Sequence, residues 1–547
     1  MKNKRIIRKV LYYILGIFFF FVIGGGIFLT FFFQDFIDAH LNAKLKEATR
    51  TSTHGLFRLE VGKIRYAHGT MYCTRVELIR ARYDKSESGL TMKSLIADSV
   101  YFEGLHIFDV LFGKGLFLEK MSAASPQVFL GDVIEGREEL RNSVQDTSPF
   151  STTMPKGLPV ISYDSITLSN ISLHIPTKFA PPGIDSLYSG ISIRLSKLRI
   201  DDSVLNAQPI LFCKGIDLKM INFPFDLADS SYQLSIAGMH ASLEDSLITI
   251  DSFNFHSRYS GDAFAAKYKY ATPMLSFHCS GIRSEGISLG SSLSQGPIVL
   301  RKFIVSSFYL DSYEDNLHPK NPHPKPVMFP NELLYSIPGS LLIDSIILDK
   351  GIIRLRERWR GGTGVIGFDK VRIMLSPIVK DSVNRNIRPT KITINARFLN
   401  EAPFNAELSY PLFQKEFDMH ARVTVGSFSA LRLNPWLVPV ERMKVESGVL
   451  KSGSIDMTIH AGKSNTKVLP YYSDFVVKLL PSDPHVKSGL AEKIKTLAIS
   501  AFVIRRNNPN LLGSSKIGLT EYSRIKTEEF FQFLWFAIRK SLEKVVG

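Results

Sequence analysis

Between about Leu56 and Tyr472, hydrophobic residues recur at every second position in short runs, which Gly, Pro, Asn and Asp interrupt. A period of two sends successive side chains to opposite faces of a strand. This stretch therefore predicts strands and tight turns, with few long helices. A sheet of such strands carries one apolar face along its whole length. The expected fold is mainly β.

One local phrase recurs in this region: Asp-Ser followed by an aliphatic or aromatic residue, beginning at Asp98, Asp164, Asp202, Asp245, Asp251, Asp311, Asp344 and Asp381. Three copies continue alike, over residues 99–107, 165–173 and 345–355. Each reads as a short strand, a polar or Gly-bearing break, and a second short strand. Asp and Ser suit the start of a strand because their side chains bond nearby backbone outside the ladder. Their spacing is irregular, which excludes a fixed-period solenoid and predicts one strand–turn–strand unit reused with variable loops. Two stretches read as lateral loops. Residues 142–159 are rich in Ser, Thr and Pro. Residues 316–331 hold Pro319, Pro322, Pro324, Pro326 and Pro330, which excludes a central strand or a helix.

The start of the chain has a different character. Lys2, Lys4, Arg5, Arg8 and Lys9 precede an uncharged apolar run of 24 residues that begins at Val10 and ends at Phe33. At about 1.5 Å per helical residue it spans a ~30 Å hydrocarbon core. The expectation is a transmembrane anchor with a cytoplasmic basic flank (1–9). A removed signal peptide would have an apolar core of ~7–15 residues and a small-residue cleavage site, and the residues from Gln34 to His40 offer none. The run Gly24-Gly25-Gly26 either admits a second helix closely or is simply tolerated in lipid. Residues 34–55 read as a helical stalk, with Leu41 and Leu45 one turn apart.

Helical periodicity returns near the end. Leu490, Ile494, Leu497 and Ala501 share one face, and Pro509 closes that segment. The last segment, 527–547, opens with Glu528 and Glu529, as a helix N-terminus favours. Its stripe is Phe530, Leu534, Ala537, Ile538, Leu542 and Val545, widened by Phe531, Trp535 and Phe536. The apolar core is too short to cross a bilayer. It suits a helix that lies in a membrane surface or one that caps the sheet.

The ~510 residues after the anchor exceed one compact domain. A hydrophobic content of 45%, with 39 Phe and 19 Tyr, excludes a disordered tail. Three cysteines, Cys73, Cys213 and Cys279, make neither a disulfide framework nor a zinc site. The net charge of +16 is spread thinly outside the basic flank. That argues against nucleic acid, which calls for clustered cations beside stacking aromatics, and leaves either a generally solvated surface, the default, or anionic lipid as the partner of a tethered basic surface.

Motifs that carry chemistry are sparse. The pattern around Ser288 (Gly286-Ile287-Ser288-Leu289-Gly290) matches a nucleophile elbow, but the Ser-rich segment and Pro297 that follow cannot start the required helix. His318 and His323 have no neighbouring carboxylate or thiol to complete a metal site. No phosphate-binding loop, zinc-protease motif or dinucleotide fingerprint is present. The expectation is no enzyme, with no catalytic, cofactor-binding or metal-binding residues. One charged pattern stands out. Arg354, Arg356, Arg358 and Arg360 share one strand face, with Leu355 and Trp359 on the other. Four adjacent guanidiniums need compensation, either from lipid-headgroup phosphate or, on a solvated outer face, from water and cross-strand carboxylates.

Three regions resemble the AsmA-like family of bacterial envelope proteins, whose members include AsmA, TamB and YhdP. Residues 93–130, with the Pro126-Gln127-Val128 strand, are similar to the family's N-terminal unit. Residues 433–459 and 471–475 resemble its C-terminal region, assigned here to 432–526. Residues 502–509 and 530–541 resemble the tail of relatives from the Bacteroidota. The middle, roughly 148–431, matches only in style. The resemblance implies an elongated, twisted, groove-forming sheet over 56–431, anchored in the bacterial inner membrane with its bulk in the periplasm. It also implies a role in phospholipid movement between inner and outer membranes, or in outer-membrane maintenance. A scaffold or assembly factor for outer-membrane proteins, gripping client strands at the sheet edge, is the alternative.

Overall fold

A computed structural model describes residues 33–546 apart from 54, 68, 83–89, 107–108, 111, 133–158, 177–186, 204–212, 222, 227–230, 243, 290–297, 337–339, 381–388, 412–416 and 481–504. The run expected to anchor the chain, from Val10, lies outside these residues except for Phe33. So does the helical pattern at Leu490, Ile494, Leu497 and Ala501. Among the described residues, no helix is long and apolar enough to cross a membrane. The chain is mainly β, with few short helices. It divides into two compact units, Met1–Ile221 with Ala241–Glu244, and Asn222–His240 with Asp245–Gly547.

The first unit begins with a helix at Phe33–Ser52. Nine strands follow: β1 (Phe57–Val61), β2 (Ile64–Ala67), β3 (Thr70–Arg80), β4 (Leu90–Glu103), β5 (Leu116–Ala124), β6 (Gln127–Asp132), β7 (Val160–His174), β8 (Leu187–Asp201) and β9 (Gly215–Met220). β1 and β2 both pair with β3, β3 with β4, and β4 with β5 and β6. β7 then runs parallel to β5 and β6, and β8 and β9 follow antiparallel. The helix read as a stalk packs on this sheet. Leu41, Leu45 and Ala48 are buried with Ile64, Met71, Cys73, Val100, Leu116 and Leu118. Asp38 accepts a hydrogen bond from the Ile64 N–H (3.0 Å), and Lys44 Nζ donates to the Val110 carbonyl (2.9 Å). Burial lifts the Cys73 thiol to about 12, with Asp38 adding to the effect.

The second unit continues with β10 (Phe223–Asp226), β11 (Tyr232–Ser242), β12 (Leu247–Ser257), β13 (Met274–Glu285), β14 (Ser288–Leu289), β15 (Ile298–Asp315), β16 (Leu341–Trp359) and β17 (Gly362–Ser376). After these come β18 (Ile378–Lys380), β19 (Thr390–Phe398), β20 (Ala402–Tyr410), β21 (Met419–Val425), β22 (Phe428–Ser429), β23 (Met443–His460), β24 (Lys463–Leu479) and β25 (Gly518–Ser523). From β12 the sheet runs antiparallel through β13, β15, β16, β17, β19, β20, β21, β23, β24 and β25, except that β15 and β16 are parallel. A helix at Phe530–Val546 packs on β24 and β25.

Among the described residues each unit contains a parallel step, and the one between β15 and β16 coincides with the Pro-rich segment read as a lateral loop, whereas the segment 142–159 lies outside the described residues but for Pro159. Parallel neighbours need a crossover of a dozen or more residues, whereas antiparallel ones take a tight turn. The Pro-rich chain between β15 and β16 is such a crossover.

The reused phrase differs from expectation. The breaks at Asn170 and Lys350 are bends inside single long strands, β7 and β16, instead of turns between two short ones. Five residues after Ser99, Ser165 and Ser345 stand Gly104 (φ 70°), Asn170 (φ 53°) and Lys350 (φ 47°), all left-handed. The Asp of the phrase is also special. Asp98 lies opposite Arg75 (φ 46°), Asp164 opposite Lys197 (φ 51°) and Asp251 opposite Gly281 (φ 59°), and the ladder omits each of these pairs. Such irregularities bend a strand and sharpen its twist. At Gly281 a side chain would also collide with Ser306, which is why glycine sits there.

Candidate functional site

The candidate site is the apolar face of the second unit's sheet, which is finished differently along its length. In β11 and β12 nearly every side chain is half-buried, whichever face it takes. A two-layer sandwich would instead alternate buried with exposed. Across β12, β13, β15, β16, β17 and β19, the half-buried side chains of Ile250, Phe253, Phe277, Phe303, Leu348, Ile353, Phe368, Ile373 and Ile394 form one apolar floor around Cys279, Val305, Phe308 and Val371. Gly351 lets this floor close up, because a Cβ there would meet the Phe308 ring. Burial raises the Cys279 thiol, partly offset by a hydrogen bond from the Phe253 backbone. Among the described residues, the helical segments of this unit pack most extensively on β15–β17 and β23–β25, and the C-terminal helix also reaches β21.

At one end the same face is closed. Phe533, Ala537 and Val545 of the C-terminal helix are fully buried. Phe530, Leu534 and Ile538 pack beside them, on Met419, Ala421, Met457 and Ile459. The stripe expected at Phe530, Leu534 and Ile538 thus serves as a cap. Its centre, Phe533, is not part of that expected stripe, although the spacing 530, 533, 537, 541, 545 carries the signal. Phe536 lies edge-on to Tyr522, with centroids 6.2 Å apart. Phe531 and Trp535 point to solvent, 77% and 43% exposed.

The Pro-rich crossover supplies a second plug. Phe329 is fully buried against Phe417, Phe530 and Phe533. It precedes a short helix, Pro330–Ser336, that starts with proline at its first position, and Glu332 reaches back to accept the Phe329 N–H (2.6 Å). Arg524 stacks on the Phe329 ring (3.4 Å) and pairs with Glu332 (3.1 Å). Burial alone would raise the Glu332 carboxyl, but hydrogen bonds from Arg524 and the Phe329 N–H, with the Arg524 charge, hold it below the usual range.

At the other end of the strands, a run of helical turns from Ala430 to Glu441 lies on β16 and β17, where Gly364 makes room for Val440. Phe368, Phe398, Phe404 and Phe428 form an aromatic chain beside it, with centroids 4.9–5.7 Å apart. Glu357 sits here, its carboxyl raised by burial although Trp359 Nε1 donates to it (3.0 Å).

The arginine row occupies the opposite face, and three of its members meet carboxylates. Arg354 pairs with Asp369 (2.7 Å). Arg356 grips Asp311 through two nitrogens, one at 2.9 Å. Arg358 pairs with Asp262 and lies 3.7 Å from Asp315. Cross-strand neutralisation, one of the two compensations open to this row, is therefore found at these three positions. Arg360 is exposed in the turn after β16.

Among the described residues, no group of three or more His, Cys, Asp or Glu side chains is placed to hold a metal ion. Ser288 lies in the two-residue strand β14, paired with Val299. No family model matches the chain, and no curated protein matches its sequence.

Proposed function

We propose that this protein is a non-enzymatic phospholipid carrier of the AsmA-like kind, held in a bacterial inner membrane by the apolar run from Val10 to Phe33. The bulk of the chain is placed in the periplasm, where an elongated grooved sheet conducts acyl chains toward the outer membrane. One observation carries the reading: the apolar floor of β12–β19, in which Ile250, Phe253, Phe277, Ile353, Phe368 and Ile394 are only half-buried. Apolar area left facing water costs about 25 cal/mol per Å², so such a floor is stabilised by any acyl chain laid along it. A trough of this kind works by cumulative burial and needs no single catalytic residue.

The test is quantitative lipid extraction from the purified full chain, with Phe368→Asp as the control for lipid held elsewhere. The expected result is on the order of one phospholipid or more per chain, lost in the variant. A wild-type chain carrying no more lipid than the variant contradicts the reading.

A further inference from the structure

Outside the trough, one hairpin tip of the second unit displays two leucines to water: Leu511 and Leu512 are 98% and 91% exposed. Water-facing leucines are ordinary when single, but here an ordered frame holds the pair outward. At the neck, Asn508 is fully buried. Its backbone exchanges two hydrogen bonds with Tyr472, both 2.9 Å. Its side-chain Nδ2 donates to the carbonyls of Pro470 (2.6 Å) and Lys516 (3.0 Å), and its Oδ1 accepts from the Lys516 N–H (2.7 Å). At the tip, Asn510 Oδ1 accepts from the N–H groups of Leu512 (3.1 Å) and Ser514 (2.8 Å), while the Asn510 N–H donates to the Ser514 carbonyl (3.0 Å). The buried Asn508 side chain, so fully hydrogen-bonded, makes the neck a rigid support, and the Asn510 bonds close the exposed turn. The turn that carries the leucines is thereby held with both side chains facing water.

The flanks are cationic. Arg505, Arg506 and Lys516 bracket the tip, and no carboxylate occurs from 505 to 520. We infer that this tip is a membrane-docking finger, whose leucines enter the interface of an anionic lipid bilayer while the flanking cations meet its headgroups. A protein partner fits less well. Stable protein interfaces bury on the order of 1,000 Å² or more around aromatic anchors, and this tip offers two aliphatic side chains and no aromatic ring. Shallow insertion of a few apolar groups beside basic residues is how peripheral elements hold anionic membranes. The inference does not depend on what the trough carries.

The test uses the full chain in phosphatidylcholine nanodiscs, mixed with larger vesicles that contain phosphatidylglycerol or phosphatidylcholine alone, and reads co-flotation. The wild type is expected to float with the anionic vesicles. L511D/L512D is expected to bind about ten-fold more weakly or worse, with an unchanged melting temperature because both side chains already face water. A melting temperature that falls with the double substitution contradicts the exposed tip. Double-variant binding equal to wild type overturns the finger. So does a wild type that ignores both vesicle types, which would assign the leucines to a protein partner.

Discussion

One face of the second unit's sheet ends in two different states. Toward β21–β25 it is roofed by the C-terminal helix and plugged by Phe329, and its aromatic and aliphatic side chains are removed from water. Toward β12–β19 the strands carry the same kinds of residue, yet Ile250, Phe253, Ile353 and Phe368 stay half-buried. Strand chemistry alone does not decide which stretch becomes core. A roof does, and the roof here comes from segments far away in sequence: residues 530–546 over a cluster that draws on strands from β16 to β25, and a crossover residue at 329. The roofed stretch is structural. The less covered stretch is the one proposed to take a ligand.

Substitutions sharpen that contrast, and the largest effect belongs under the roof. Phe533→Ala removes a fully buried ring and is expected to cost about 3–5 kcal/mol in denaturant unfolding. A loss below about 1 kcal/mol would show that the helix does not close the core. Phe368→Asp on the bare floor is expected to cost less, about 1–3 kcal/mol, because the ring is only partly buried. It should still strip bound phospholipid, while Tyr309→Asp on the opposite face leaves lipid unchanged. The reverse ranking of stability and lipid loss would dissolve the distinction.

The plug adds a pH dependence. Glu332 has a depressed carboxyl, so its contribution is complete above its ordinary value of 4.5 and lost as pH falls through the lower folded value. Melting temperature should drop more steeply with acid below pH 4.5 in wild type than in Glu332→Gln. The effect is under about 1 kcal/mol, since the pair is partly solvated. Parallel profiles would mean the pair does not hold the plug. The smallest effect is expected at Phe531→Ala, within about 0.5 kcal/mol, because that ring faces water.

Much of the architecture is legible from local pattern. Alternation marks the strands, and Pro319 to Pro330 mark an excursion because proline cannot donate to a ladder. The excursion's role as a crossover is not legible, since parallel pairing depends on where the chain returns. The Asp-Ser recurrence is visible, but its meaning as a bulge site rests on partners such as Lys197 and Gly281 in other strands. Arg354, Arg356 and Arg358 read equally well as phosphate ligands or paired ions until Asp369, Asp311, Asp262 and Asp315 are placed beside them. Phe329 gives only a local cue, a residue ahead of a proline-started turn, and nothing near it in sequence announces that it fills a core. The Leu511-Leu512 pair is plain in the sequence, yet only the Asn508 and Asn510 bonds show that it is held outward.

The most direct measurement is photo-crosslinking in the native membrane, with a benzophenone side chain placed at Ile353 or Phe368 on the bare floor and at Tyr309 on the opposite face. Lipid adducts at the two floor positions and none at Tyr309 are the expected result. Adducts at all three positions alike, or polypeptide in place of lipid at the floor, would contradict an acyl-chain trough.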